Sequence, residues 1–514
     1  MRNFISSVAV LFLLVLGYPT SVPGLDPAPK VQARALEDHM QKMIDDASPA
    51  IVAIVISHAK YPELPLDERK QPGRLGRYTP RAMRPILPGL PRPIATDKLD
   101  LSEAANIANH QFGSGIVLDA QRGYILTAQH LIEGATKIYV RSSSGKGCYA
   151  DILASDSRSD LAVLKLLDRV DGLKAATLGT VRLVEALDGT KPNLKRGSWL
   201  VALGHPLAAG FVDGLPSASW GILSNIRRRS AQQPQREELR PKPLHQYGSL
   251  LQTDARITLG TSGSALLNMD GEVIGMASSV AAISGSEASG GFAMPFDANY
   301  RRIIAVLLKG QEVEYGFLGV APVSERGGVT IGSVTPGCPA AIAGLREGDV
   351  LKSVDGHALN EPDDLLLYIG AALAGTNVNV TVRRGLRDVT TELSLAKISN
   401  PLPAIVTAPS PMYGGLRVDY ASIRLLQLFN ARDPLRVVPP QGVSVRDIEP
   451  NSNAEKRFKE AGDSVSNWII TQVDGKPITK PAEFYNATMG KASVKLTLAD
   501  PAAPNRTTTI TLGE

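Results

Sequence analysis

Gly260-Thr261-Ser262-Gly263-Ser264-Ala265-Leu266-Leu267-Asn268-Met269-Asp270-Gly271-Glu272-Val273-Ile274-Gly275 is the stretch whose reading decides the fold. Its second half reads as a hairpin, because two apolar runs meet at Asp270-Gly271, a pair that accepts the positive φ angles of a tight turn. Its first half places a serine between glycines just before that hairpin. A serine hydroxyl is a poor nucleophile at neutral pH. It needs a base within hydrogen-bond reach, and that base needs an acceptor to fix its tautomer. Imidazole titrates near working pH and can take a proton and return it. Working outward, His130 ends Thr127-Ala128-Gln129-His130, straight after a strand, and Asp160 opens Asp160-Leu161-Ala162-Val163, at the start of another. The order His, Asp, Ser argues against an α/β-hydrolase, which runs Ser, Asp, His. The nucleophile-elbow pattern fails too, since Ser264 occupies its last glycine. Glycines beside Ser262 let the backbone bend so that two N–H groups, assigned to Gly260 and Ser262, meet a developing oxyanion. Losing one such donor costs ~2.7–4 kcal/mol of transition-state stabilisation.

The surrounding chain is rich in short strands. Ile51 to Ile56, Gly115 to Leu118, Tyr124 to Thr127, Lys137 to Arg141 and Leu161 to Leu166 are each strand-like, and their regular spacing argues for β-barrels. Tyr300 to Lys309 reads as a closing helix. The 514 residues allow about three domains. With 43% hydrophobic and 20% charged residues, wholesale disorder is excluded. The net charge of +5 over this length is no evidence for nucleic acid, and none is expected as a partner. The two cysteines, Cys148 and Cys338, exclude a disulfide scaffold and read as free thiols. No His/Asp/Glu cluster has metal spacing, so no metal and no cofactor is assigned.

Residues 1–24 read as a signal peptide: Arg2 supplies the positive start, and Phe4 to Leu16 is an apolar run too short for a comfortable membrane span. Val22 and Gly24 suit the small-residue cleavage rule. Export without a disulfide framework suits a bacterial periplasm, with an uncleaved anchor as the alternative. No later segment reaches about 18 uninterrupted apolar residues, so no stable span is expected after cleavage. Residues 25–45 read as a polar leader. Two basic insertions stand out, near 60–100, where prolines recur among arginines, and near 227–247. They read as solvated loops or as regulatory, partner-binding ones.

The last 200 residues or so contain a repeat. Gly328-Val329-Thr330-Ile331 recurs as Gly442-Val443-Ser444-Val445, and Gly348-Asp349 as Gly462-Asp463, each offset by 114 positions. Val354-Asp355-Gly356 recurs as Val473-Asp474-Gly475, offset by 119, so the second copy carries extra residues around Ser464 to Trp468. Two copies are too few for a solenoid and fit two small tandem domains.

Together these stretches resemble the HtrA/Deg family of serine proteases. The likeness rests on Ser48-Pro49-Ala50-Ile51-Val52, Gly113-Ser114-Gly115-Ile116-Val117, Tyr124 to His130, Ser157 to Lys165, Gln252-Thr253-Asp254-Ala255, Asp270 to Gly275 and Gly291-Phe292-Ala293-Met294-Pro295. The resemblance implies a mainly β chain. A chymotrypsin-like double β-barrel (46–310) would precede two PDZ-like α+β domains (313–398 and 413–514), joined by a linker at 399–412. It implies an ATP-independent serine endopeptidase for unfolded or misfolded proteins, homo-oligomeric and built on trimers. His130, Asp160 and Ser262 would be catalytic. Phe317-Leu318-Gly319-Val320 would be the loop of the first PDZ domain that captures C-terminal peptides.

Several positions depart from the family pattern. Thr261, Ser264 and Ala265 replace its Asn, Gly and Pro around the serine. If position 264 requires φ > 0, a serine there costs ~1–2 kcal/mol and tilts the oxyanion hole. A catalytically impaired chaperone or PDZ scaffold is therefore the alternative. Arg256, six residues before Ser262, stands where this fold lines a substrate pocket, and either faces solvent, or narrows the pocket or favours an acidic side chain there. His205 replaces an Asn and reads as a turn residue. In the second copy Arg417 replaces the loop glycine, which makes peptide binding there doubtful.

Overall fold

The computed structural model describes residues 27–58, 100–103, 111–183, 190–206, 214–228, 243–257, 260–278, 291–325, 328–400, 402–429 and 437–513. The expected signal peptide and most of both basic insertions lie outside the described residues. Two compact units divide at Ala47. The first contains helix α1 (Pro27–Ala47), where the leader was expected. No helix among the described residues is long and apolar enough to cross a membrane.

In the second unit, β1 (Ile51–His58) is a run of β-branched residues buried from Ile51 through Ser57, a composition suited to a fully covered strand. It lies at the centre of a barrel with β2 (Gln111–Asp119), β3 (Tyr124–Ala128), β4 (Ala135–Arg141), β5 (Gly147–Asp156) and β6 (Leu161–Leu166). Their order is β5-β4-β1-β2-β3-β6, closed by pairing of β5 with β6. A second closed barrel is built from β7 (Trp199–Gly204), β8 (Ser217–Arg228), β9 (Leu250–Thr253), β10 (Ala265–Leu267), β11 (Val273–Ala277) and β12 (Gly291–Pro295). The hairpin of the opening stretch is β10–β11, with Gly271 at φ +76° in its turn. A short helical turn, α2 (Gln129–Ile132), separates β3 from β4, and α3 (Ala298–Leu307) follows β12, its first N–H groups capped by Asp297 at 3.0 Å. The fold is thus the expected double barrel.

Next come β13 (Gly316–Phe317), β14 (Val320–Glu325), β15 (Gly328–Val334), α4 (Pro339–Ile342), β16 (Val350–Val354), β17 (His357–Ala358), α5 (Pro362–Ala371), β18 (Asn377–Arg384), β19 (Arg387–Ser394) and β20 (Ala396–Lys397). The chain then makes β21 (Ala404–Val406). Part of the expected linker is therefore a strand: β21 pairs with β5 and extends the first barrel's sheet. The repeat continues as β22 (Leu416–Tyr420), α6 (Ala421–Phe429), β23 (Val443–Ile448), α7 (Asn453–Ala461), β24 (Ile469–Val473), β25 (Lys476–Pro477), α8 (Pro481–Thr488), β26 (Ser493–Ala499) and β27 (Thr507–Gly513).

The two copies share one topology: β14-β15-β16-β18-β19 with β17 on β16, and β22-β23-β24-β26-β27 with β25 on β24. Even the irregularities repeat. Register shifts at Leu351/Ser353 and at Ile470/Gln472, and Asp355 (φ +46°) and Asp474 (φ +50°) each precede a glycine at φ +75°. The extra residues of the second copy form a 3-10 turn (Asp463–Asn467), and Val465 and Trp468 bury into that copy's core. The copies are tied together by Lys397. Its side chain is 4% exposed, and its ammonium lies 2.9–3.1 Å from Asp419, Glu312 and Glu314. Burial would lower its pKa, but these three carboxylates carry it above the ordinary lysine value.

Candidate active site

Three sequence-distant side chains meet between the barrels. His130 stands in α2, just after β3. Its Nδ1 is 2.8 Å from Asp160 Oδ2 and 2.9 Å from Oδ1, and its Nε2 is 3.1 Å from Ser262 Oγ. Asp160 ends the turn between β5 and β6 at φ +58°, a left-handed conformation that Asp tolerates better than most side chains. Its carboxylate is buried. It also accepts the backbone N–H of His130 at 2.9 Å and the Ser278 hydroxyl at 3.3 Å. Burial alone would lower the His130 pKa, but the charge and hydrogen bond of Asp160, with a lesser push from Glu133, carry it above the ordinary imidazole value. Burial would likewise raise Asp160, and His130 outweighs it and holds the carboxyl below its ordinary range.

The loop bearing Ser262 is held by Ser114, a residue that sequence reasoning quoted in a motif without giving it a role. The Ser114 N–H donates to Ser262 O at 2.8 Å, and its carbonyl accepts the Thr127 hydroxyl at 2.8 Å. Its own Oγ accepts the His205 N–H at 2.8 Å and the Ser264 hydroxyl at 3.1 Å. His205 is wholly buried.

Position 264 does not have the conformation that made a serine there suspect. The positive φ angles lie at Gly260 (+84°) and Gly263 (+86°), and Ser264 is not among the left-handed residues. A Cβ at Gly263 would fall 1.9 Å from Ser114 O, so the loop's demand for glycine is met there. Ser264 instead fills space left by Gly204, whose own Cβ would come within 1.7 Å of the Ser264 hydroxyl.

A cavity of about 270 Å³ opens beside the serine. Ala202 to Gly204, Pro206, Ser217 to Ser219, Arg256, Ile257, Thr261 and Ser264 line it. Among the described residues that line it, Arg256 is the one that carries charge. It is exposed, and its backbone N–H donates to Ser219 Oγ at 2.8 Å.

Phe317 pairs with Ala396, and Leu318-Gly319 leads into β14, an edge strand. Gly319 takes φ +88°, and a Cβ there would lie 2.5 Å from that of Cys338. Both cysteines are buried free thiols, and burial pushes Cys338 up to about 12. Among the described residues no group of three or more His, Cys, Asp or Glu is placed to hold a metal ion.

A histidine between a buried carboxylate and a serine hydroxyl, set between two six-stranded barrels, defines the class of chymotrypsin-fold serine peptidases. The trypsin-like peptidase domain family matches residues 113–276, and the PDZ domain family matches residues 316–395. A probable periplasmic serine endoprotease, DegP-like, of Pseudomonas fluorescens is 31% identical over 386 residues, 73% of each chain. A probable periplasmic serine protease, do/HhoA-like, of Haemophilus influenzae is 26% identical over 366 residues, 69% of each. The solved HtrA-type protease AlgW with a decapeptide is 24% identical at TM-score 0.45, covering 70% of this chain and 99% of that one. The chain belongs to the HtrA/Deg family of PDZ-bearing serine proteases, and it is a serine endopeptidase.

Proposed function

We propose that Ser262 is the nucleophile, His130 its base and acid, and Asp160 the group that orients His130. Ser262 Oγ attacks the scissile carbonyl carbon while His130 Nε2 takes its proton. The C–N bond then breaks, and Nε2 passes that proton to the leaving amine. Water repeats the sequence on the ester and restores the hydroxyl. The N–H groups of Gly260 and Ser262 receive the oxyanion. The observation that carries this reading is the line of contacts from Asp160 through both ring nitrogens of His130 to Ser262 Oγ.

The substrates on this reading are unfolded or misfolded proteins, cut without ATP in the periplasm by a homo-oligomer built on trimers. Phe317-Leu318-Gly319-Val320 would take a peptide's terminal carboxylate while the peptide adds to β14. The rival reading, an impaired chaperone or scaffold, drew on Ser264. The ordinary backbone there and its bond to Ser114 favour the catalytic reading.

Pure Ser262→Ala protein should keep its fold and lose casein degradation by on the order of 10⁶-fold. Residual proteolysis by it would refute the assignment. Arg256, in the cavity beside Ser262, would favour an acidic side chain there. A cleavage profile with ordinary Val/Ala preference, unchanged in Arg256→Ala, would sink that role.

A further inference from the structure

Asp160 is held from outside the barrels as well as by His130. The turn Ser157–Asp160 follows Asp156, a buried carboxylate that belongs to no reacting group. Asp156 Oδ2 accepts the Ser159 N–H at 2.8 Å and the Ser159 hydroxyl at 2.6 Å, which fixes the turn one residue before Asp160. The same oxygen accepts the hydroxyl of Tyr315 at 2.5 Å. Tyr315 is wholly buried and lies one residue before β13, on the segment that enters the PDZ domain.

The segment leaving that domain returns to the same place. Asn400 Nδ2 donates to Asp156 Oδ1 at 3.5 Å, and Pro403 O accepts the Ser157 N–H at 3.1 Å. Arg158 completes the cluster, its guanidinium 4.4 Å from the centre of the Tyr315 ring. Its carbonyl accepts the Leu244 N–H at 2.8 Å, and a Cβ on Gly370 of α5 would fall 2.8 Å from its Nη2.

We propose that Tyr315 and Asp156 are positioning residues for the triad: the phenol, delivered by the chain's entry into the PDZ domain, holds the Ser157–Asp160 turn so that Asp160 faces His130. This deepens the catalytic reading and rests on it. A carboxylate already bonded to Ser159 gains from Tyr315 a short bond that is shielded from water. The backbone of Asp160 sits in a conformation that needs its neighbours to hold it. Loosening the turn weakens the contact of Asp160 with His130 Nδ1. The other groups facing that ring, Glu133 and His245, stay in place.

The test is Tyr315→Phe in the full chain, which removes one hydroxyl and keeps the ring over Arg158. Expected are a kcat about tenfold lower at unchanged KM and an acid limb of the pH–rate profile displaced to lower pH. Asp156→Asn should lose less than about threefold, because its amide oxygen still accepts from Tyr315 and from the N–H and hydroxyl of Ser159, and only the 3.5 Å contact with Asn400 is given up. A Tyr315→Phe enzyme that melts earlier yet keeps wild-type kcat and acid limb would make the cluster merely structural and overturn the proposal. So would equal losses in both variants without any pH displacement. A wild-type chain that no fluorophosphonate labels would fail the catalytic reading itself. Labelled wild type with an unchanged Tyr315→Phe enzyme fails only the positioning role.

Discussion

The two repeat copies share strand order, register shifts and tight turns, and differ where a peptide would lie. In the first, the loop glycine Gly319 is left-handed against Cys338, and β14 is the edge strand of its sheet among the described residues. In the second, the loop glycine is kept: Gly415 (φ +84°) packs against Ser452, and Arg417, expected in the loop, stands in β22 opposite Asp447, bonded to it at 2.9 Å and to the Ser410 carbonyl at 2.9 Å, because the strand register matches it to Ala321 and not to Gly319. The helices differ at one matching position. Counted from Pro362 and Pro481, Leu366 of α5 corresponds to Tyr485 of α8. Leu366 is exposed, whereas the Tyr485 hydroxyl accepts the Val418 N–H at 3.2 Å, a donor on the edge strand β22. One scaffold thus carries an exposed apolar helix residue beside an edge with Pro322 in one copy, and in the other a tyrosine bonded to the N–H of Val418, the register match of Pro322.

Exchanging these features should move peptide binding with them. The largest effect is expected from Gly319→Arg, which puts a side chain where both copies keep a left-handed glycine, Gly319 and Gly415. A side chain at φ +88° against Cys338 should weaken binding of a peptide with a free C-terminus by about a hundredfold or more, combining backbone strain with loss of the carboxylate site. Calorimetry with that peptide and its amidated form checks this, and undiminished affinity would remove the loop from the site. A smaller effect, about tenfold, is expected when Leu366→Tyr replaces the exposed apolar side chain beside β14, where Pro322, the register match of Val418, has no N–H for the phenol to accept. The reciprocal Tyr485→Leu should cost about 1 kcal/mol of stability, read by denaturant titration, because the Val418 N–H loses its partner. With Arg417 still on β22 and bonded to Asp447 and the Ser410 carbonyl, that variant should gain no peptide affinity.

The copies also differ in what they touch. The first is bound at both chain crossings to the turn before Asp160, whereas the second is joined to the first through Lys397. Neither link was legible in the sequence. Tyr315 and Asp156 are 159 positions apart, and a lone tyrosine before a two-residue strand has no local signature. The hairpin, by contrast, was readable, because Asp270-Gly271 between apolar runs allows few other conformations. The triad types could be read from their places at strand edges, since the chemistry demands those three groups. The conformation at Ser264 could not: which of two neighbouring positions needs the left-handed backbone depends on the approach of Ser114 from another strand. For the same reason Ala404–Val406 passed for linker, as its strand exists only by pairing with distant β5.

The most direct test is labelling of the wild-type chain with a fluorophosphonate across pH, with the modified residue located by mass spectrometry. Attack needs neutral His130, and Asp160 raises its pKa, so labelling should rise with pH about a midpoint above the ordinary imidazole value of roughly 6.5. All label should sit on Ser262 and vanish in Ser262→Ala. An unlabelled wild-type chain, or label that persists in Ser262→Ala, would contradict a working triad of His130, Asp160 and Ser262.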